Sequence, residues 1–277
     1  MSKLLFILLL VPFSLFAEGN SEVDSLKQLL ATAEGVERID ILNTMASILE
    51  RTDFDRAVEL ATEAYNLAVQ LEDRERQALS LKFIGFGHLS ACNYNLAASF
   101  FGRSLAIQQE LGWESEVLGL YSFLGTAFQN SGDYATAINY LLLAAEIYEN
   151  YQDSINMAMV YSNIGSVYQN LKEYRPAVEY GLRSYQLVST LGHLYGISLV
   201  AIQLGVSYNK LGDYLRASDY YHIAIKNLSE MGDLQTLASA YGGLSDVLAA
   251  QENYTVALEY LELNSSHKCN FINRKVI

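Results

Sequence analysis

The chain has 277 residues, 51% of them apolar and only 18% charged, a balance too hydrophobic for a disordered polypeptide and sufficient for a continuous buried layer. Its 31 acidic against 18 basic side chains give a formal charge of −13, which repels the phosphate backbone and excludes nucleic acid as the expected partner. No cluster of Lys or Arg breaks that background, so adhesion to an anionic membrane surface is not expected either.

Residues 1–17 read as a secretory signal peptide: Lys3, then an apolar run from Leu4 to Ala17, then polar residues. The run is shorter than the roughly 20 residues a membrane-spanning helix needs, so no membrane insertion of the mature chain is expected. Cleavage fits after Ala17 or after Gly19, and the expectation is an exported bacterial protein, periplasmic or secreted. No Cys follows the run to carry a lipid, and Cys92 and Cys269 do not make a disulfide framework. Residues 18–34, containing "SEVDSLKQLL", predict an opening helix.

From residue 35 the chain repeats itself. At a period of 40, Ala57, Ala97, Ala137, Ala177, Ala217 and Ala257 fall in one column, and Phe54, Tyr94, Tyr134, Tyr174, Tyr214 and Tyr254 stand three residues earlier. Just before them come Asp53, Asn93, Asp133, Glu173, Asp213 and Asn253, a helix N-cap column. Within each copy the apolar residues follow a 3.6-residue period, as at Tyr134, Ala137, Ile138, Leu141, Ala144 and Tyr148, and a second periodic stretch precedes the cap, as at Val117, Tyr121, Leu124 and Phe128. Each copy is therefore a helix, a turn and a helix, giving copies at about 35–73, 74–113, 114–153, 154–193, 194–233 and 234–262, with an irregular tail over 263–277.

Gly85, Gly125, Gly165 and Gly205 align in the first helices, and Ala64, Ser104, Ala144, Ser184 and Ala224 in the second. A helical Gly costs roughly 0.5–1 kcal/mol relative to Ala, so four in register imply a steric demand. The expectation is that each Gly meets the Ala of its own second helix and that the later small residue packs on the next copy. One hairpin cannot bury both faces, so the copies must stack. The sixth copy departs: Ser245 stands in the Gly column, Gly242 and Gly243 lie mid-helix, Asn264 replaces a small residue, and its second helix is expected to fray after Leu261.

These columns resemble the tetratricopeptide repeat family, in a longer-period form, through Leu124, Gly125, Phe128, Ala137, Leu141 and Ala144 and through Ile164, Gly165, Tyr168, Ala177 and Ser184. HEAT repeats share a similar period but do not account for the Gly and Ala columns. The resemblance implies an all-α fold, a right-handed α-solenoid of stacked antiparallel helix hairpins whose first helices line a concave face.

On that face the candidate binding residues are Ser122, Thr126, Gln129 and Asn130 in the third copy, Ser162, Asn163, Ser166, Gln169 and Asn170 in the fourth, and Gln203, Asn209 and Lys210 in the fifth. Amide side chains donate and accept, which suits the backbone of an extended peptide; ordinary solvated helix positions are the plain alternative. Asn43 shares a column with Asn163 and resembles the start of an Asn ladder. The several Lys and Asn that clamp a C-terminal carboxylate in some family members are not present as a set, which argues against chaperone-tail binding.

No catalytic motif stands out, and no enzyme activity, metal or cofactor is expected. His88, His193, His222 and His267 share no ligand spacing, and the "GFG" of residues 85–87 lies in a predicted helix, where it cannot cradle a phosphate. Most of the 20 Tyr fall in packing columns, including Tyr140, Tyr180, Tyr220 and Tyr260. Two functions fit: a non-enzymatic scaffold that binds a protein or an extended peptide in the groove, or the sensory input portion of a longer bacterial receptor of the histidine kinase or diguanylate cyclase type.

Overall fold

Helix follows helix along the whole of the computed structural model, which describes residues 15–112 and 114–275, with side chains over 22–112, 117 and 119–265. The signal-peptide reading of residues 1–17 falls largely outside these residues. In chain order the helices are α1 (Leu15–Leu30), α2 (Gly35–Leu49), α3 (Phe54–Gln70), α4 (Arg74–Ser90), α5 (Tyr94–Glu110), α6 (Glu114–Ser131), α7 (Tyr134–Asn150), α8 (Ser154–Asn170), α9 (Tyr174–Thr190), α10 (Leu194–Lys210), α11 (Tyr214–Met231), α12 (Leu234–Ala250) and α13 (Tyr254–Lys275). The fold is all-α and of the solenoid class, and two helices fall in each predicted copy. No strand occurs among the described residues.

The chain forms two compact units, Met1–Ser131 and Gly132–Ile277. In the first, α2, Leu60, Ala61, Ala64 and Ile84 bury one core, against which Leu26 and Leu30 of α1 pack. In the second, Ala158, Val188, Leu204, Ala217, Tyr221, Leu244 and Val247 are drawn from five successive helices into another. The Ala column is buried throughout.

The helix boundaries have a 20-residue rhythm. A left-handed residue closes the turn at 72, 92, 112, 132, 152, 172, 192, 212, 232 and 252, and five of these are Gly. The following amide reaches back five residues, as from Asp73 N to Ala68 O at 2.9 Å and from Glu173 N to Tyr168 O at 2.9 Å. This is the left-handed closure that satisfies a helix's last carbonyls. Asp53, Asp133 and Asp213 cap as expected, accepting the amide hydrogens of Arg56, Thr136 and Arg216. Asn93 and Glu173 make no such side-chain bond. The first helices carry caps that the repeat columns did not announce: Asp73, Asp153 and Asp233 through carboxylates, and His193 through Nδ1, which accepts from Gly196 N at 3.0 Å.

The Gly column works differently from the expectation. A Cβ on Gly85 would fall 2.6 Å from the Phe101 ring and one on Gly205 would fall 2.8 Å from that of Tyr221, so these glycines admit a large ring one turn past the Ala. At Gly165, where the residue one turn on is Gly181, the Ala backbone itself approaches, with Ala177 O at 3.2 Å from such a Cβ. Ring size on one helix is matched to the missing side chain on the other. The later small residues also turn inward: Ser104 Oγ donates to Ala78 O and Ser184 Oγ to Ala158 O, each at 2.7 Å and each to the first helix of its own copy.

The sixth copy is regular after all. Gly242 leaves the space that Asn264 Nδ2 occupies, 2.8 Å from where a Cβ would stand; Gly243 makes room for Tyr221; and Ser245 Oγ donates to Ala257 O at 2.7 Å. The odd residues compensate one another. The last helix does not fray after Leu261 and the stretch expected as an irregular tail is helical to Lys275, because no Gly or Pro interrupts 254–275.

Candidate functional site

Within each unit the first helices lie beside one another. In the second unit, α8 and α10 are joined by a polar clamp: Gln203 Nε2 donates to Ser162 O at 2.7 Å, Ser162 Oγ donates to Gln203 Oε1 at 3.0 Å, and Gln169 Nε2 reaches both Gln203 O and Ser207 Oγ at 2.7 Å. Gly165 belongs to the same device, since a Cβ there would stand 3.0 Å from Gln203 Nε2. Gln203 is 8% exposed and Ser207 fully buried. Of the candidate residues, Ser162, Gln169 and Gln203 thus spend hydrogen bonds on joining two copies, whereas Asn163, Ser166 and Asn209 stay half-buried and Asn170 and Lys210 exposed.

In the first unit, Thr126 Oγ1 donates to Ser122 O at 3.0 Å, and Ser122 Oγ is enclosed without a hydrogen-bond partner. Gln129 is half-buried. Asn130 is exposed and joins Ser131, Cys92 and Asn93 around an open depression of about 410 Å³ at the helix ends. Asn43, 2% exposed, has neither amide atom bonded.

The same face of the first unit holds aromatic residues that amide-seeking overlooked. Phe86 meets Phe123 edge-on with centroids 4.6 Å apart and Phe101 edge-on at 5.3 Å, and Phe83 lies 6.3 Å from Phe86. Phe83, Phe86 and Phe123 are half-buried above the fully buried Phe101. The signal was in the register: Phe83 and Phe123 share the column of Asn163 and Gln203, and Phe86 shares that of Thr126 and Ser166.

At the rim, Lys82 Nζ sits 5.7 Å from the centroid of Phe83. Burial raises the pKa of the Glu50 carboxyl, against the pull of Arg51 and Lys82. His88 stacks on Phe100 at 5.3 Å and 14°, and burial lowers its pKa. The "GFG" segment lies in α4 as expected, with Gly85 admitting Phe101 and Gly87 facing Val58. Among the described residues no group of three or more His, Cys, Asp or Glu could hold a metal, and no helix is long and apolar enough to cross a membrane.

Stacked hairpins with a residue-lined first-helix face define a helical-repeat scaffold. Residues 116–189 match the sequence model of the tetratricopeptide repeat. Solved structures extend the likeness. A Signal Transduction ATPase with Numerous Domains protein with a tetratricopeptide repeat sensor, from Pyrococcus horikoshii, is 14% identical with a TM-score of 0.78, over 93% of this chain and 40% of that one. The apo form of RapI is 14% identical with a TM-score of 0.72, over 94% of each chain. The apo form of the quorum sensor NprR from B. thuringiensis is 12% identical with a TM-score of 0.68, over 91% of this chain and 71% of that one. No curated protein matches by sequence. The match over residues 116–189 places tetratricopeptide repeats in that segment, and the solved structures share the fold of the chain.

Proposed function

We propose that this chain is a non-enzymatic scaffold of the cell envelope that binds a protein or an extended peptide segment along its first helices. The observation that carries the reading is that first helices keep polar and aromatic side chains accessible in each unit taken by itself: Asn163 and Ser166 half-buried and Asn170 exposed in one, and Phe83, Phe86, Phe123 and Gln129 half-buried in the other. Amides can pair with a peptide backbone and rings can seat its side chains. Selection of a random peptide library on the full chain tests this. Enriched peptides should bind reversibly and compete with one another, and a library yielding no binder above background would end the reading. Export is supported by Lys3 and the apolar run after it; residues 1–19 fused to alkaline phosphatase should give activity outside the cytoplasm, and an inactive cytoplasmic fusion would refute it.

A second reading, the sensory portion of a longer receptor, is favoured by the Pyrococcus horikoshii likeness, which covers 40% of a protein described as carrying a tetratricopeptide repeat sensor. An open reading frame running past codon 277 into an output domain would establish it, and a stop codon there would remove it.

A further inference from the structure

We propose that the turn between α9 and α10 is a pH-sensitive latch, closed while His193 is neutral and opened when its imidazole takes a proton. Asp73, Asp153 and Asp233 cap α4, α8 and α12 with one carboxylate oxygen, 3.0, 3.1 and 3.1 Å from the amide nitrogen three residues on. The other oxygen holds the side chain of that third residue: Arg76 at 3.0 Å, Asn156 at 2.7 Å and Thr236 at 2.7 Å. The turn before α10 keeps the same backbone, with φ −83° and ψ 85° at His193 against −83° and 81° at Asp153, but changes both partners. The acceptor is His193 Nδ1, 3.0 Å from Gly196 N, and the third residue has no side chain. A Cβ on Gly196 would fall 2.6 Å from that Nδ1 and 3.1 Å from Val188 Cγ1, so His and Gly stand together where the other copies pair Asp with a side chain.

The exchange alters what acid does to the helix. A carboxylate keeps its acceptor oxygens down to about pH 4, whereas imidazole gains its proton between about pH 5 and 8. Protonated at Nδ1, His193 has no lone pair for Gly196 N–H, and two donors then face each other while a positive charge sits at the helix N-terminus. His193 is exposed, so the proton reaches it from solvent. His222, on α11, differs: its Nδ1 lies 2.8 Å from the Ser218 carbonyl oxygen, a bond the protonated ring keeps. The helices packed against α10 are α8, α9, α11 and α12. At its N-terminal end they bring Asp153 and Asp233, each bound to its own helix, and Lys226 and Glu230 of α11, which are of opposite sign; the last turn of α9 has no charge. Tyr185 and Tyr195 are phenols, which stay neutral in this range. The first turn of α10 carries Tyr195, packed on Ala224, Leu228 and Leu237, so opening the latch loosens the seat between the fifth and sixth copies.

Hydrogen exchange of the full chain at pH 8 and pH 5, read by mass spectrometry and corrected for the intrinsic effect of pH on amide exchange, tests this. Protection of the first turn of α10 should fall by about fivefold at pH 5, the ordinary worth of an N-cap, while the first turn of α12, capped by Asp233, should not change. His193→Asp should hold the pH 8 protection at both values. His193→Ala should show the low protection at both, as should Gly196→Ala, whose methyl displaces the ring. The same protection within twofold at both pH values in the parent chain, a pH dependence that survives His193→Asp, or a parallel loss in α12 overturns the proposal. The readout is local to α10, so an effect of His88 in the other unit does not enter it.

Discussion

Gly243→Ala is the substitution whose outcome the packing fixes most tightly. By helix propensity alone it should stabilise α12 by about 1 kcal/mol. The added methyl, however, would overlap the Tyr221 ring and fall 2.5 Å from its hydroxyl oxygen, and the ring has little room to slide, because it already fills the space left by the missing side chain of Gly205, where a Cβ would lie 2.8 Å from it. Tyr221 is 1% exposed between these helices. Overpacking of a core typically costs 1–3 kcal/mol, and a ring so confined places this site near 3, so the net loss is about 2 kcal/mol. At ~2–4 °C per kcal/mol for a chain of this size, Tm falls by about 4–8 °C. Shrinking the ring should reverse the sign: in a Tyr221→Leu background, itself less stable, Gly243→Ala should stabilise by up to about 1 kcal/mol. Thermal and urea unfolding of the four proteins of this cycle, followed by circular dichroism, measures it. A neutral or stabilising Gly243→Ala in the parent protein, or the same sign in both backgrounds, would refute the matching of ring to missing side chain.

Asn43→Leu should stabilise the first unit by about 1–3 kcal/mol, because it removes a buried amide with no partner; a drop in urea midpoint would mean the amide is bonded. Gln203→Ala should cost about 1–2 kcal/mol through loss of its two bonds with Ser162, and hydrogen exchange should rise in α8 and α10 together; unchanged exchange would deny the clamp. Lys172→Gly should raise stability by about 1 kcal/mol, since Lys172 holds φ at 60°; a loss would show that the lysine side chain matters more than its backbone strain. His88 has a folded-state pKa below the unfolded value, so the unfolded chain takes the proton first and stability falls as pH drops through about 6.5 toward the folded value. His88→Phe should flatten that part of the stability–pH curve, and an unchanged curve between pH 7 and 5 would place the acid sensitivity elsewhere.

The hairpins were legible because every copy needs the same few things: an Ala at the tightest contact, a cap before the second helix and room in the first. What a column could not reveal was the partner of each small residue. Gly85 and Gly205 look alike in sequence to Gly165, yet two admit rings and the third admits the Gln203 amide, a choice made by residues at other columns. The sixth copy failed as a pattern for the same reason: Gly242 and Asn264 are each anomalous alone and complementary as a pair. The candidate face was half legible. Residue type marked the amides, but Gln169 and Gln203 turn theirs inward to a neighbouring helix 34 or more residues away, and nothing in residue type separates the half-buried rings of Phe83, Phe86 and Phe123 from the fully buried Phe101.

Ligand capture on the first helices is tested most directly by hydrogen–deuterium exchange of the full chain with and without a saturating, library-selected peptide. Protection concentrated in first helices, with the second helices α3, α5, α9 and α11 unchanged, is the predicted result. Protection confined to the second helices, or none with a peptide that demonstrably binds, would contradict it.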